Sequence, residues 1–156
     1  MKQSYKIKYL HLLIIILLAK PTNHMKHAEA FMKLLLTCMD IDDELSPDEI
    51  NKYSTLHHYL SFSGYDLSQI LQEYYSDKAV MGFSKLLFYY ADFIDNSDIA
   101  RRGVLSHCYE AVLLDCDLDN REELSLKHLA DYFGIEDHDH INIKRNELSR
   151  VYSRSI

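Results

Sequence analysis

Apolar side chains recur every three or four residues along most of the chain, which is the spacing of one face of an α-helix. The stretch His24–Met39 shows it clearly, with Ala28, Phe31, Leu35 and Cys38 in register. No segment sustains the apolar–polar alternation that is typical of a strand. The pattern predicts an all-α fold, a compact single-domain helical bundle of about seven to eight helices that occupies residues 1–156.

Capping residues, glycines and prolines divide this pattern into separate elements. Each predicted helix starts at a residue that can cap it or stops where the pattern is interrupted. The predicted helices are Lys6–Ala19, His24–Met39, a third from Ser46 to about Phe62, a short fourth from Asp66, Lys78–Ile94 capped by Asp77, a sixth from Asn96 or Ser97 to about Leu114, a seventh from Asp119 to Phe133, and an eighth from near Asp139 through Val151.

The same acidic motif occurs twice in the sequence. Six of the ten residues in Asp40–Glu49 are carboxylates, and Asp115–Glu123 contains five. Both copies read Asp-x-acid-Leu-(Ser/Asp)-x-x-Glu, and several apolar positions around them also agree when the two motifs are aligned. We therefore expect two pseudo-repeated halves, about 24–62 and 97–135, each formed by a helix, an acidic turn and a helix.

Helix capping explains part of each motif. Ser46 with Glu49, and Asp119 with Glu122, have the spacing of a capping box, in which each side chain bonds to the backbone N–H of the other residue. Such a cap contributes about 1 kcal/mol. Capping gives no role to the first acid of either copy, so that acid is a candidate for another function.

The spacing of the acids invites comparison with a calcium-binding EF-hand. An EF-hand loop requires Gly at position 6 and a bidentate Glu at position 12. Counted from Asp115, those positions hold Asn120 and Leu126, and counted from Asp40, position 12 holds Asn51. The sequence therefore excludes a standard EF-hand.

Two stretches resemble the tellurite-resistance TerB-like family. They are "DDELSPDEI" followed by "LHHYLSF", and "DCDLDNREEL" followed by "LADYFGI". The resemblance covers roughly residues 24–135 and implies an all-helical protein built from two such halves. It also implies a bound divalent cation, Ca²⁺ or Mg²⁺, and a part in a stress or defence response at the membrane. Carried over residue by residue, the candidate metal ligands are Asp42, Glu49, Asp115 and Glu122.

Charge and cysteine content narrow the function classes. A net charge of −7 disfavours nucleic-acid binding, which needs clustered Lys and Arg, and suits divalent cations or a basic partner protein. Three cysteines without a CxxC spacing predict reduced thiols in a cytoplasmic protein. No catalytic motif stands out, so no catalytic residue is assigned and an enzyme is the weaker class.

The apolar stretch Tyr9–Ala19 follows a basic segment, as the apolar part of a signal peptide does. Its eleven residues are fewer than the ~20 that a helix needs to cross a bilayer. We interpret it as a buried core helix, with a signal or membrane-associated segment as the alternative.

Two further segments are interpreted as structural. Glu136–His140 combines two histidines with acids, but zinc sites use three or four ligands at fixed geometry. We expect an exposed turn in which Asp139 caps the last helix. The aromatic run Leu86–Phe93 is interpreted as core.

Three functions remain open from the sequence. The first is a TerB-like interaction module that is controlled by a divalent ion and binds an unidentified protein partner. That partner is either a soluble protein or a membrane-associated one. The second is a structural adaptor whose acidic surface binds a basic protein. The third is a metal-dependent hydrolase, which requires an apolar cleft between Asp42 and Asp115.

Overall fold

The computed structural model describes residues 24–41, 45–59, 66–115 and 117–154. Within these residues the fold is all-α, as predicted, and contains no strand. The described elements are α1 (His24–Met39), α2 (Pro47–Tyr59), α3 (Leu67–Met81), α4 (Phe83–Ala91), α5 (Asp98–Val112), a 3₁₀ turn (Leu113–Asp115), α6 (Asn120–Tyr132) and α7 (Asp137–Arg154).

Helix α1 lies at the centre of the described bundle. From Ala28 to Asp40, every side chain except those of Glu29 and Lys33 is buried, and the helix packs against α3, α4 and α5. A helix that is surrounded by others must be apolar almost all the way round. Each buried Leu, Phe or Met contributes about 1.5–3 kcal/mol, so α1 supplies a large part of the core.

The helix boundaries repeat in step with the acidic motif. The shift in residue number that aligns Glu49 with Glu122 also converts the bounds of α2 into the bounds of α6. The same shift aligns Met39 with Val112, which are the last residues of α1 and α5. The two predicted halves therefore have equivalent helices. Within each half, α1 with α2 or α5 with α6, the acidic motif begins between the two helices.

Apolar residues anchor both acidic turns. Ile41 and Leu45 pack against the core at the first turn, and Leu114 and Leu118 do so at the second. These pairs also occupy equivalent positions in the two copies of the motif. In each copy an apolar residue thus packs against the core just before the first acid of the repeated motif, Asp42 or Asp115, and another does so three residues after that acid.

Both predicted N-cap residues are confirmed, and the first copy forms both bonds of the capping box. The Glu49 N–H donates to Ser46 Oγ (3.1 Å), and the Ser46 N–H donates to Glu49 Oε1 (3.4 Å). In the second copy the Glu122 N–H donates to Asp119 Oδ1 (2.8 Å). The caps fix the first turns of α2 and α6.

The predicted helix Lys78–Ile94 is wrong, because its residues divide between α3 and α4. These helices meet at Gly82, whose φ of 75° and ψ of 160° are accessible essentially only to glycine. Asp77 therefore lies inside α3 and does not cap a helix. Val80, which the pattern places on the apolar face, is 85% exposed.

Two other boundaries differ from the prediction. Asp66 does begin a helix, since its side chain accepts from the Ser68 N–H (3.0 Å), but α3 is fifteen residues long rather than short. The last helix begins at Asp137, so Asp139 lies in its first turn and is not the cap.

Within the described residues, the hydroxyls of four buried tyrosines bond to distant parts of the chain. Burial raises the pKa of each of these tyrosines, so the hydroxyl stays protonated. A buried hydroxyl needs a partner, and in these bonds the partner lies on another helix or, for Tyr74, at Asp40 just after α1. The pairs are Tyr53 with the Met32 carbonyl (3.0 Å), Tyr74 with Asp40 (2.6 Å), Tyr90 with Asp77 (2.7 Å) and Tyr109 with His140 (2.5 Å).

Some predictions fall outside the described residues. They include the helix Lys6–Ala19, with its apolar stretch, and the end of the third helix after Tyr59. Among the helices that the structure does describe, none is both long enough and apolar enough to cross a membrane.

Candidate functional site

A small cavity lies where the two repeated halves meet. Equivalent residues of the halves line it in pairs, so both copies of the acidic motif contribute to the same place. The lining residues are Cys38 with Ala111, Met39 with Val112, and Glu49 with Glu122, together with Lys52 and Leu114.

The two glutamates reach this cavity from equivalent helix starts. Glu49 is the third residue of α2, and Glu122 is the third residue of α6. The caps described above fix where each helix begins and therefore where these residues lie. A carboxylate is also favoured in the first turn by the partial positive charge of the helix N-terminus. The same residues thus serve the cap and line the cavity.

Lys52 brings a positive charge to the cavity. Its Nζ donates to the Leu114 carbonyl (3.3 Å), which belongs to the turn of the other half, and lies 3.4 Å from Asp48 Oδ2. The lining therefore combines two carboxylates with one ammonium group. A metal ion that entered would meet the positive charge of Lys52 in the same lining.

The size of the cavity limits what it can hold. Its volume is about 40 Å³, and a water molecule needs about 10–15 Å³ by the same kind of measure. Pockets for small organic ligands span about 300–1,000 Å³. The cavity therefore suits an ion or a few waters, and it gives no support to a hydrolase that binds its substrate there.

Of the four predicted ligands, Glu49 and Glu122 line the same cavity. Asp42 lies outside the described residues. Asp115 ends the 3₁₀ turn, and its backbone alone is described. That Asp42 and Asp115 complete a metal site with the two glutamates stays a prediction.

The sequence reasoning missed a buried carboxylate at the start of the first acidic segment. Asp40 is 1% exposed, and its Oδ2 accepts hydrogen bonds from Tyr74 Oη (2.6 Å) and Lys78 Nζ (2.7 Å). Tyr74 and Lys78 are four residues apart on α3 and so share one face of it. This spacing was visible in the sequence, but nothing linked that face to position 40. Asp40 thus ties the end of α1 to α3.

A separate acidic group lies at the start of α7. Potential metal-ligand atoms of Glu136, His138 and Asp139 lie within 4.8 Å of one another. In the described chain, no other group of three or more such residues comes this close. Glu136 and His138 are exposed, and Asp139 Oδ2 accepts from Arg102 Nη2 (2.8 Å). Because Arg102 already supplies the positive charge, we assign no metal to this group.

No protein-family model, characterised protein or solved structure matches this chain. The resemblance to the TerB-like family therefore rests on the motif residues quoted above.

Proposed function

We propose that this protein is a TerB-like interaction module whose two halves share one cation site, at the cavity lined by Glu49 and Glu122. The observation that supports this proposal is the pairing of equivalent residues around the cavity. Two carboxylates brought to one small cavity repel each other unless a positive charge lies between them.

The donor types suit a hard divalent cation. Ca²⁺ takes six to eight oxygen ligands from carboxylates, carbonyls and water, and Mg²⁺ takes six. Glu49, Glu122 and the Leu114 carbonyl supply oxygens of these kinds, and Asp42 and Asp115 would add further carboxylates. The ion would join the first turns of α2 and α6, and so would fix the relative position of the two halves and of any partner surface that both form.

Lys52 supports a second function, the structural adaptor. Its ammonium group already brings a positive charge to the cavity that the two carboxylates line, and it bonds to the opposite turn. In that case the cavity is a permanent joint without metal, and the acidic surface binds a basic partner protein directly. The two functions therefore differ in which cation occupies the cavity.

Calorimetric titration of CaCl₂ and of MgCl₂ separates them. The chains to compare are the wild type, the Glu49→Gln/Glu122→Gln double variant, Lys52→Gln, and Glu136→Gln as a control in an exposed acid elsewhere. A cation site predicts saturable heat in the wild type and in the control. It also predicts tighter binding in Lys52→Gln, which lacks the competing ammonium, and loss of binding in the double variant.

Thermal melting with and without a chelator gives the second measurement. A bound ion stabilises the folded chain by mass action, so the chelator should lower the melting temperature of the wild type and leave the double variant unchanged. No heat in the wild type, together with a lower melting temperature of Lys52→Gln in metal-free buffer, would refute the cation site and favour the adaptor.

A further inference from the structure

A second charged feature lies outside the acidic motifs, in a groove between α1, α3 and α4. The groove has a volume of about 310 Å³, which is near the lower end of the ~300–1,000 Å³ of small-ligand pockets. This is room for one long side chain and the backbone that carries it. Its main lining residues are Glu29 and Lys33 from α1, Asp77 from α3, and Tyr89, Tyr90 and Phe93 from α4 and the turn after it.

One wall of the groove is aromatic and open to solvent. Tyr89 is 39% exposed and Phe93 36% exposed, and their rings lie edge to face with centroids 5.3 Å apart. The aromatic run that the sequence predicts as core is buried at Leu86, Leu87 and Tyr90 but not at these two rings. Exposed aromatic faces attract cations, and the planar guanidinium group of arginine stacks on them.

The other walls carry more negative than positive charge. Lys33 Nζ lies 2.8 Å from Glu73 Oε2 and 3.9 Å from Glu29 Oε1. Asp77 accepts from Tyr90 Oη (2.7 Å), which is a neutral donor. Lys33 therefore pairs with two carboxylates and Asp77 adds a third, so these four described side chains carry a formal net charge of −2.

The state of Glu29 shows the same imbalance. Burial raises its pKa, Lys33 counteracts this in part, and the negative charges of Glu73 and Asp77 raise it further. A cation that entered the groove would therefore relieve a repulsion that exists before binding. The complementary ligand is a cation with an apolar, planar face.

We propose that this groove binds an arginine side chain presented by a basic segment of a partner protein. The guanidinium group stacks against the exposed rings of Tyr89 and Phe93 and donates to the carboxylates of Glu29 and Asp77. Arginine suits the groove better than lysine because its planar fork of donors can stack and bridge two carboxylates at once. The inference rests on the proposed role as an interaction module, but it uses no residue of the Glu49–Glu122 cavity.

The test is an NMR titration of the full chain with capped Gly-Gly-Arg-Gly-Gly. The control peptide replaces arginine by citrulline, which has nearly the same shape but no charge. We expect saturable shifts around Glu29 and Tyr89 that weaken with added salt. The citrulline peptide should bind about tenfold more weakly, because it lacks the charge-assisted hydrogen bonds.

Variants separate the rings from the charges. Glu29→Gln and Tyr89→Leu should each lower the affinity for the arginine peptide about fivefold to tenfold. Tyr89→Phe keeps a ring and Glu136→Gln changes an acid outside the groove, so both should bind the peptide like the wild type. Equal binding of the two peptides, shifts that map elsewhere, or unchanged affinity in Glu29→Gln and Tyr89→Leu would overturn the proposal. The calcium titration is independent, so either proposal can fail while the other holds.

Discussion

Replacing Tyr74 by phenylalanine tests how strongly a single hydroxyl holds two helices together. The substitution keeps the ring in the core and removes only the group that donates to Asp40 Oδ2 at 2.6 Å. Both residues are fully buried. Burial and the bond to Asp40 raise the pKa of Tyr74, so the hydroxyl is protonated at any pH at which the chain is assayed.

The expected loss follows from the remaining partners of Asp40. A hydrogen bond to a charged group contributes about 1.5–3 kcal/mol. Asp40 keeps the bond from Lys78 Nζ (2.7 Å), so the variant does not leave an isolated buried charge. We therefore expect the lower part of the range, a decrease of about 1.5–2 kcal/mol in the free energy of unfolding. For a chain of this length that corresponds to about 3–8 °C in the melting temperature.

Tyr75 provides a matched control in the same helix. It is 44% exposed, and its ring lies beside that of Tyr74 with centroids 5.6 Å apart. Tyr75→Phe also removes one hydroxyl, but from the surface, and should change stability by less than about 0.5 kcal/mol. Urea unfolding followed by far-ultraviolet circular dichroism measures both variants, and the slopes of the transitions should stay equal.

Two outcomes would contradict this reasoning. A loss below about 0.5 kcal/mol in Tyr74→Phe would mean that the bond to Asp40 adds little beyond the burial of the ring. An equal loss in both variants would mean that the effect comes from the tyrosine pair or from the unfolded state. Either result would mean that the Tyr74 hydroxyl does not explain how the end of α1 is joined to α3.

Three further predictions use the same unfolding assay. Gly82→Ala should lower the free energy of unfolding by about 1–3 kcal/mol, because alanine is strained at a φ of 75°, and an unchanged midpoint would contradict this. Ser46→Ala should lower the free energy of unfolding by about 1 kcal/mol because the α2 cap is lost. Ser76→Ala, an exposed substitution within α3, should leave the free energy of unfolding nearly unchanged, and equal effects of the two substitutions would refute the cap. Burial, and then the nearby charge of Lys144, lowers the pKa of His140 in the folded chain. On acidification His140 is therefore protonated in the unfolded chain before it is protonated in the folded chain. Stability should therefore fall as the pH drops through about 6.5, and His140→Gln should flatten that dependence.

Local signals in the sequence predicted much of the fold. The bounds of His24–Met39 and the starts at Ser46, Ser97 and Asp119 agree with the structure, since spacing and capping act within a few residues. The break at Gly82 was missed because the apolar spacing continues across it. One glycine inside a helix costs only about 1 kcal/mol, so the pattern alone could not separate a weak helix position from a corner.

The site was predicted less completely because its contacts are distant in sequence. The doubled motif singled out Glu49 and Glu122, and both line the cavity, but the lining also contains Lys52, which bonds to the Leu114 carbonyl 62 residues away. The partners of Asp40 are similarly far along the chain, on α3. No local pattern shows which helix faces will meet, and those meetings decide which acids are buried and which remain available to a ligand.

The corner at Gly82 has a consequence for assembly. A rotation of this one residue into helical angles would merge α3 and α4 into a continuous helix, about 1.5 Å longer for every residue added. Asp77 and Tyr90, which now bond across the corner, would then lie about 20 Å apart along that helix. Helix α4 would leave its own α1 and could occupy the same position on a second copy, as in domain swapping. Because α4 also buries Leu86, Leu87 and Tyr90 in the core beside α1, an exchanged dimer would have to restore that packing on the second copy. The balance between the closed chain and such a dimer would then depend on protein concentration.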